Sequence, residues 1–192
     1  SELPEFSALP GAEGSHHRAS ITMIESVDHL NAAFHSAKRG EPADPPIIEA
    51  IIPSVLAPTL TDTPGHHVMS LLCKYMPYDL TVERSSYDEK GRIVQGIFSY
   101  VERFIPRLRD ITVGYQCLTP LDLERMLGMT RGDICHGRLE PDQLFNMRPH
   151  PDAAQYATPV TGLYLCGSGA HPGGGVTGAP GHNAARRILK DA

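Results

Sequence analysis

Eight of the chain's 18 glycines lie between Gly162 and Gly181. The run reads Gly162-Leu163-Tyr164-Leu165-Cys166-Gly167-Ser168-Gly169-Ala170-His171-Pro172-Gly173-Gly174-Gly175-Val176-Thr177-Gly178-Ala179-Pro180-Gly181. A short apolar stretch, Leu163 to Cys166, feeds a glycine-dense turn. A small-residue helix signal follows and ends in Arg186, Arg187 and Lys190. Strand, glycine turn and helix in that order bring bare backbone amides up to a bulky anionic ligand. Glycine admits φ > 0 and removes the Cβ that would hold the ligand away. A helix N-terminus adds unpaired N–H groups and positive dipole. The pattern is that of a contact to a dinucleotide cofactor, but not of the usual first contact. No Gly-x-Gly-x-x-Gly opens the chain and no strand-helix-strand unit follows. The plainer reading is a flexible loop ahead of a surface helix. Pro172 and Pro180 argue against it, because they stiffen the turn. Gly178, Gly181, Ala185 and Ile188 also fall near one helical face, which would let the helix press closely onto a sheet or cofactor.

Other residues with chemistry each read two ways. His171 is either a polar group and proton donor beside the ligand, or a turn histidine that bonds backbone. Arg148-Pro149-His150-Pro151 offers an arginine to a cofactor or an acidic substrate group, or forms a surface turn. Tyr75 and Tyr78 line a substrate pocket or belong to core and rim. The stripe Ile93 to Ile105 is core packing, or a docking face for a membrane or partner. His16-His17, His66-His67 and Cys135-His136 suggest metal. Neighbours on a strand point to opposite faces, and no Cys/His spacing fits zinc, so no metal site is expected.

These residues need elements to hold them. Residues 1–18 read as a loop. Ala19 to Glu25 suits a strand, and Ser26 caps a helix with Val27, Leu30, Phe34 and Ala37 on one face, stopped at Gly40. Ile47 to Ile52 is a largely buried strand, Pro53 to Gly65 a long turn, and His67 to Met76 a second central strand. The spacing of Ile93, Val94, Ile97, Phe98, Val101, Phe104 and Ile105 predicts a helix over Ser85 to Ile105, ended by Pro106. Ile111 to Leu118 is expected as a further strand. Thr119-Pro120-Leu121-Asp122 opens a short helix to about Leu127. Residues 128–160 are irregular, with one helical turn at Pro141 to Phe145. No βαβ rhythm persists, so the expected class is α+β, with a mixed, largely antiparallel sheet and flanking helices.

Composition narrows the function. The 192 residues suit one domain or slightly more, and 41% of them are hydrophobic. A net charge of −5 without a basic stripe argues against nucleic acid. The four cysteines show no C-x-x-C spacing and read as reduced thiols. An intracellular protein is expected, cytoplasmic or mitochondrial.

The segment Leu163 to Leu189 resembles the C-terminal flavin motif of phytoene-desaturase-like FAD oxidoreductases. The segments Pro46-Ile47-Ile48-Glu49-Ala50-Ile51-Ile52-Pro53-Ser54, Lys74-Tyr75-Met76-Pro77-Tyr78, Leu118-Thr119-Pro120-Leu121-Asp122-Leu123-Glu124-Arg125 and Asp142-Gln143-Leu144-Phe145 look like one branch of that family. The resemblance runs from about Leu3 to Leu189. It implies a C-terminal portion: a substrate-side domain over 1–160, and over 161–192 the last strand and helix of an FAD-binding domain whose Rossmann half is absent. It implies FAD as cofactor of the full-length protein, with this chain alone lacking it and inactive. Gly167, Ser168 and Gly169 would approach the ribityl and pyrophosphate. His171, Pro172, Gly173, Gly174, Gly175 and Val176 would lie by the isoalloxazine ring. Ser168 stands where many members carry an acidic residue. The implied chemistry is hydride transfer between flavin and an apolar substrate, with no catalytic residue assigned. Implied partners are the absent N-terminal Rossmann half or a homodimer mate, which would pair the strand Leu163 to Cys166, with peripheral membrane contact possible. The alternatives are a non-enzymatic module that binds a partner protein or apolar ligand, and a flavin-dependent isomerase.

Overall fold

The computed structural model describes residues 2–11, 13–79 and 86–192. The expected helix start at Ser85, and Ser1 and Ala12 of the expected leading loop, lie outside the described residues. The chain divides into two compact units, Ser1–Thr119 and Pro120–Ala192.

The first unit is built on a three-stranded sheet of β1 (Ile21–Met23), β2 (Ile47–Ile51) and β3 (Ser70–Lys74), in the order β1-β2-β3. Both pairings are antiparallel, so the sheet is not mixed. Ile48 stands opposite Met23 and Cys73, and Ala50 opposite Ile21 and Leu71. Ile48, Ala50 and Met23 share one face. They pack with Tyr100 and Val101 of α2 (Ser86–Val101), and with Ile105 and Leu108 beyond it. The alternate residue Ile47 packs with Leu30 and Ala33 of α1 (Val27–Lys38) and with Tyr75. Burial of Ile47 and Ile48 alike explains why β2 reads as a nearly unbroken apolar run. Tyr75 thus serves the core, and so does the stripe from Val94 to Ile105.

Local signals fix the helix ends. The Ser26 hydroxyl accepts the His29 N–H at 3.0 Å, the usual capping bond. Gly40 follows α1 with φ 75°, a left-handed stop that glycine takes without strain. Beyond α2 the chain turns at Arg107, φ 66°, into the short α3 (Leu108–Ile111). Arg109 binds α3 back onto α2. Its side chain pairs with the Glu102 carboxylate and donates to the Gln95 carbonyl and Ser99 hydroxyl, each at 3.2 Å.

The strand expected over Ile111 to Leu118 is absent: Ile111 closes α3, and 112–119 form no ladder. The alternation is present in the sequence, but the three-stranded sheet of the described residues does not include it. Val113 and Tyr115 stay 76% and 64% exposed, and Tyr115 sits edge-on to Phe98. Among the described residues no helix is long and apolar enough to cross a membrane.

The turn between β2 and β3 is pinned by Ser54, which is buried. Its Oγ accepts the Val68 N–H at 3.0 Å and lies 3.1 Å from His67 Nδ1.

In the second unit, α4 (Pro120–Leu127) leads into an irregular segment with 3-10 turns at Thr130–Gly132, Pro141–Gln143, Phe145–Met147 and Pro151–Ala153. The expected turn at Pro141 to Phe145 is therefore two short ones. Gly132 has φ 69°, and a Cβ there would stand 2.5 Å from the Pro120 Cα. Only glycine lets that turn close onto the start of α4. The chain ends in α5 (Ala179–Asp191).

Two measurements check this unit-by-unit account. Ser54→Ala leaves a peptide N–H without its partner and is expected to destabilise the chain by about 1–3 kcal/mol in urea unfolding. Burial against the core, with a smaller contribution from Cys117, pushes the Cys73 thiol up to about 11. Only the thiolate alkylates. Alkylation near pH 8 is expected to modify exposed Cys166 first, and Cys73 to react only as pH approaches about 11.

Candidate functional site

The glycine segment does not begin from a strand. Leu163 to Cys166 forms a single antiparallel bridge, Ala157 with Tyr164. The Leu165 N–H donates to the Tyr156 carbonyl at 2.8 Å, and the Thr158 N–H to the Leu163 carbonyl at 3.1 Å. The apolar run that reads as a strand finds its partner only a few residues upstream.

From there the backbone makes two successive turns. The Ala170 N–H donates to the Gly167 carbonyl at 2.9 Å, and the Gly173 N–H to the Ala170 carbonyl at 2.8 Å. Gly173, Gly175 and Gly178 take φ values of 102°, 104° and 69°, a region open to glycine. Val176 takes φ 57° between them, strained for a β-branched residue, with its side chain fully exposed. Gly174 folds back on Ser168: a Cβ there would lie 3.8 Å from the Ser168 Cβ. At Gly167 and Gly169 a Cβ would meet nothing within 4 Å. The structure thus brings Gly167, Ser168, Gly169, His171, Pro172, Gly173, Gly174, Gly175 and Val176 into one double turn that runs into α5.

The N-cap of α5 is Gly178, and the Thr177 hydroxyl accepts the Ala179 N–H at 3.2 Å. No acidic residue lies in the first turn, which leaves that helix end favourable to negative charge. The buried face of α5 is Pro180 and Ala184, with Gly181 beside it, where a Cβ would stand 3.7 Å from the Cys166 carbonyl. Ala185 is exposed, so the expected face is displaced by about one residue.

Beneath this turn lies Arg148, 1% exposed. Its Nη2 donates to the Cys135 carbonyl at 2.6 Å, the Ser168 carbonyl at 3.0 Å and the His136 carbonyl at 3.3 Å. Its Nη1 reaches the Gly137 and Arg138 carbonyls at 3.4 Å. Nε has no hydrogen-bond partner among the described residues, and a Cβ on Gly173 would lie 3.5 Å from it. The surface-turn reading of Arg148 is therefore wrong. Asp133 serves the same loop from its donor side, accepting the Cys135 N–H at 2.8 Å and the Gly137 N–H at 2.9 Å.

Tyr156, buried and at φ 72°, makes a second tie. Its hydroxyl donates to the His171 carbonyl at 3.1 Å and accepts from the Asn183 amide of α5 at 2.8 Å. The ring of His171 lies tilted against Phe145, centroids 5.9 Å apart, so its carbonyl, not its ring, fastens the turn. Tyr156, Asn183 and Asp133 carry no sequence signal of this role. A buried tyrosine in an otherwise polar, irregular segment is the nearest thing to one.

His17 and His67 are engaged locally. His17 accepts the Gly14 N–H at Nδ1, 3.1 Å, and its Nε2 lies 2.8 Å from the Pro4 carbonyl. His67 faces Ser54. Among the described residues no cluster of His, Cys, Asp and Glu could hold a metal ion.

No family model matches the chain. The proteins that the chain resembles carry oxidoreductase and desaturase names. It is similar to pyridine nucleotide-disulfide oxidoreductase domain-containing protein 2 of Rattus norvegicus, 45% identical over 98% of this chain and 33% of that protein. The same protein of Mus musculus is 44% identical, again over 98% of this chain and 33% of its own length. With the lycopene-forming phytoene desaturase of Pantoea ananas the chain shares 34% identity, over 48% of this chain and 18% of that enzyme. The chain spans about a third of the length of the relatives that it matches over most of its own, and corresponds to their C-terminal part.

Removing the Tyr156 hydroxyl tests the second tie. Tyr156→Phe is expected to lose about 1–2 kcal/mol in urea unfolding, with faster amide exchange at Gly173.

Proposed function

We propose that this chain is the C-terminal part of an FAD-dependent oxidoreductase. It would act by hydride transfer between flavin and an apolar substrate. The observation that carries the reading is the double turn at 167–176: bare glycine backbone with open space at Gly167 and Gly169, held in shape from below, leading to a helix with no acidic residue in its first turn. A cofactor with a pyrophosphate and a planar ring fits such a surface, because backbone N–H groups and a helix dipole both favour its negative charge.

In this reading Gly167, Ser168 and Gly169 bind the ribityl and pyrophosphate, and His171 to Val176 line the ring. FAD supplies the hydride acceptor or donor. This chain's residues orient the ring edge and keep water from one side of it. Val176, strained and exposed, supports the same reading, since unfavourable backbone geometry tends to be kept at functional sites. Residues 1–160 would stand on the substrate side and 161–192 on the cofactor side. The partner would be the N-terminal Rossmann half, or a second copy of the chain.

The test is flavin absorbance of the purified chain, alone and fused to the rest of the rat relative. The chain alone is expected to be colourless and the fusion yellow, with one FAD per chain. A fusion that folds and stays colourless sinks the proposal.

A further inference from the structure

We propose that Arg148 is a positioning residue. Its buried guanidinium ties the 135–138 loop to Ser168 and so holds the glycine turn in shape before any ligand arrives. The nature of the ligand rests on the flavin reading above; the tie itself does not.

Three observations support this. The first is reach. One nitrogen, Nη2, bridges the Cys135 carbonyl at 2.6 Å and the Ser168 carbonyl at 3.0 Å, while Nη1 engages the same loop at Gly137 and Arg138. A planar fork with five donors can do this from one side chain, and a lysine ammonium, a compact point charge with three donors, does not reproduce it.

The second is charge. Arg148 makes no ion pair among the described residues, and only carbonyl dipoles face its guanidinium. Asp133 accepts instead from the N–H groups of Cys135 and Gly137. The third is the unpaired Nε facing Gly173. An apolar side chain of similar volume would leave the Cys135 and Ser168 carbonyls without these donors. The arginine bonds the turn at Ser168, and its Nε stands 3.5 Å from where a Gly173 Cβ would lie. Its geometry suits fixing their separation.

The test starts with amide exchange on the whole chain without ligand. Arg148→Lys keeps the charge and loses the fork. Exchange at Ala170 and Gly173, the two amides bonded within the turn, is expected to rise about tenfold or more. Amides in β2 and α1 are expected to keep wild-type rates. In the fusion described above, the same variant is expected to weaken FAD binding about tenfold, because the turn must then be ordered on binding. Its flavin spectrum is expected to lose vibronic detail as water reaches the ring, a change that a role confined to folding would not produce.

If Arg148→Lys does not fold, Asp133→Ala gives a second route. Asp133 grips only the 135–137 side, so faster exchange at Ala170 and Gly173 in that variant transmits through Arg148. Unchanged exchange at both amides overturns the proposal, whatever FAD does. A fusion that binds no FAD while these amides respond sinks the flavin reading and supports the tie.

Discussion

A backbone without ladders must still find donors for its buried carbonyls. Between α4 and α5 the chain has only short 3-10 turns and one isolated bridge, so it cannot satisfy itself. Arg148 meets the demand from a single side chain, and Asp133 supplies acceptors for the N–H groups of the same loop. Tyr156 does the equivalent for His171, with Asn183 completing the hydroxyl's bonds. The glycine turn keeps its shape because these side chains keep theirs.

The first unit is held by different physics. Its centre is β2, paired on both edges, covered on one face along Ile48 and Ala50 and on the other at Ile47. Main-chain hydrogen bonds are settled by the ladder, and apolar contact with α2 and α1 does the rest. Polar ties appear at its margins: Ser54 across the β2–β3 turn, Glu49 with Lys74 on the sheet at 2.6 Å, and Arg109 gathering α3 onto α2. Each closes a local path, and none is the core.

That difference decides how much could be read from the residues. Where burial follows a period, as in α1, β2 and the stripe of α2, the elements are legible within a few residues. Ser26, Gly40 and Pro120 mark boundaries by local stereochemistry, and the structure keeps them, whereas α2 stops at Val101, short of the end expected at Ile105 before Pro106. Ile111 to Leu118 and Leu163 to Cys166 misled because alternation reports a tendency to extend, while a strand also needs an edge to join. Arg148 was half legible. Its chemistry suggested a functional contact, but charged side chains usually stay in water, and only the meeting of two loops reveals the carbonyl nest that admits it. The glycine segment was visible as a cluster, whereas its anchors at Tyr156 and Asn183 were not, since nothing in their neighbourhood marks them.

The apolar cluster of the second unit is small: Tyr156, Ala170 and Ala184, with Leu165 against it. So little hydrocarbon leaves water there that unfolding this unit exposes little apolar area, and its heat-capacity increment is correspondingly low. Its stability curve against temperature is then shallow, with no deep optimum to draw on. For such a unit any ligand selective for the folded form contributes a large share of the total free energy, through mass action alone. Saturation with ligand and cooperative melting become one observable.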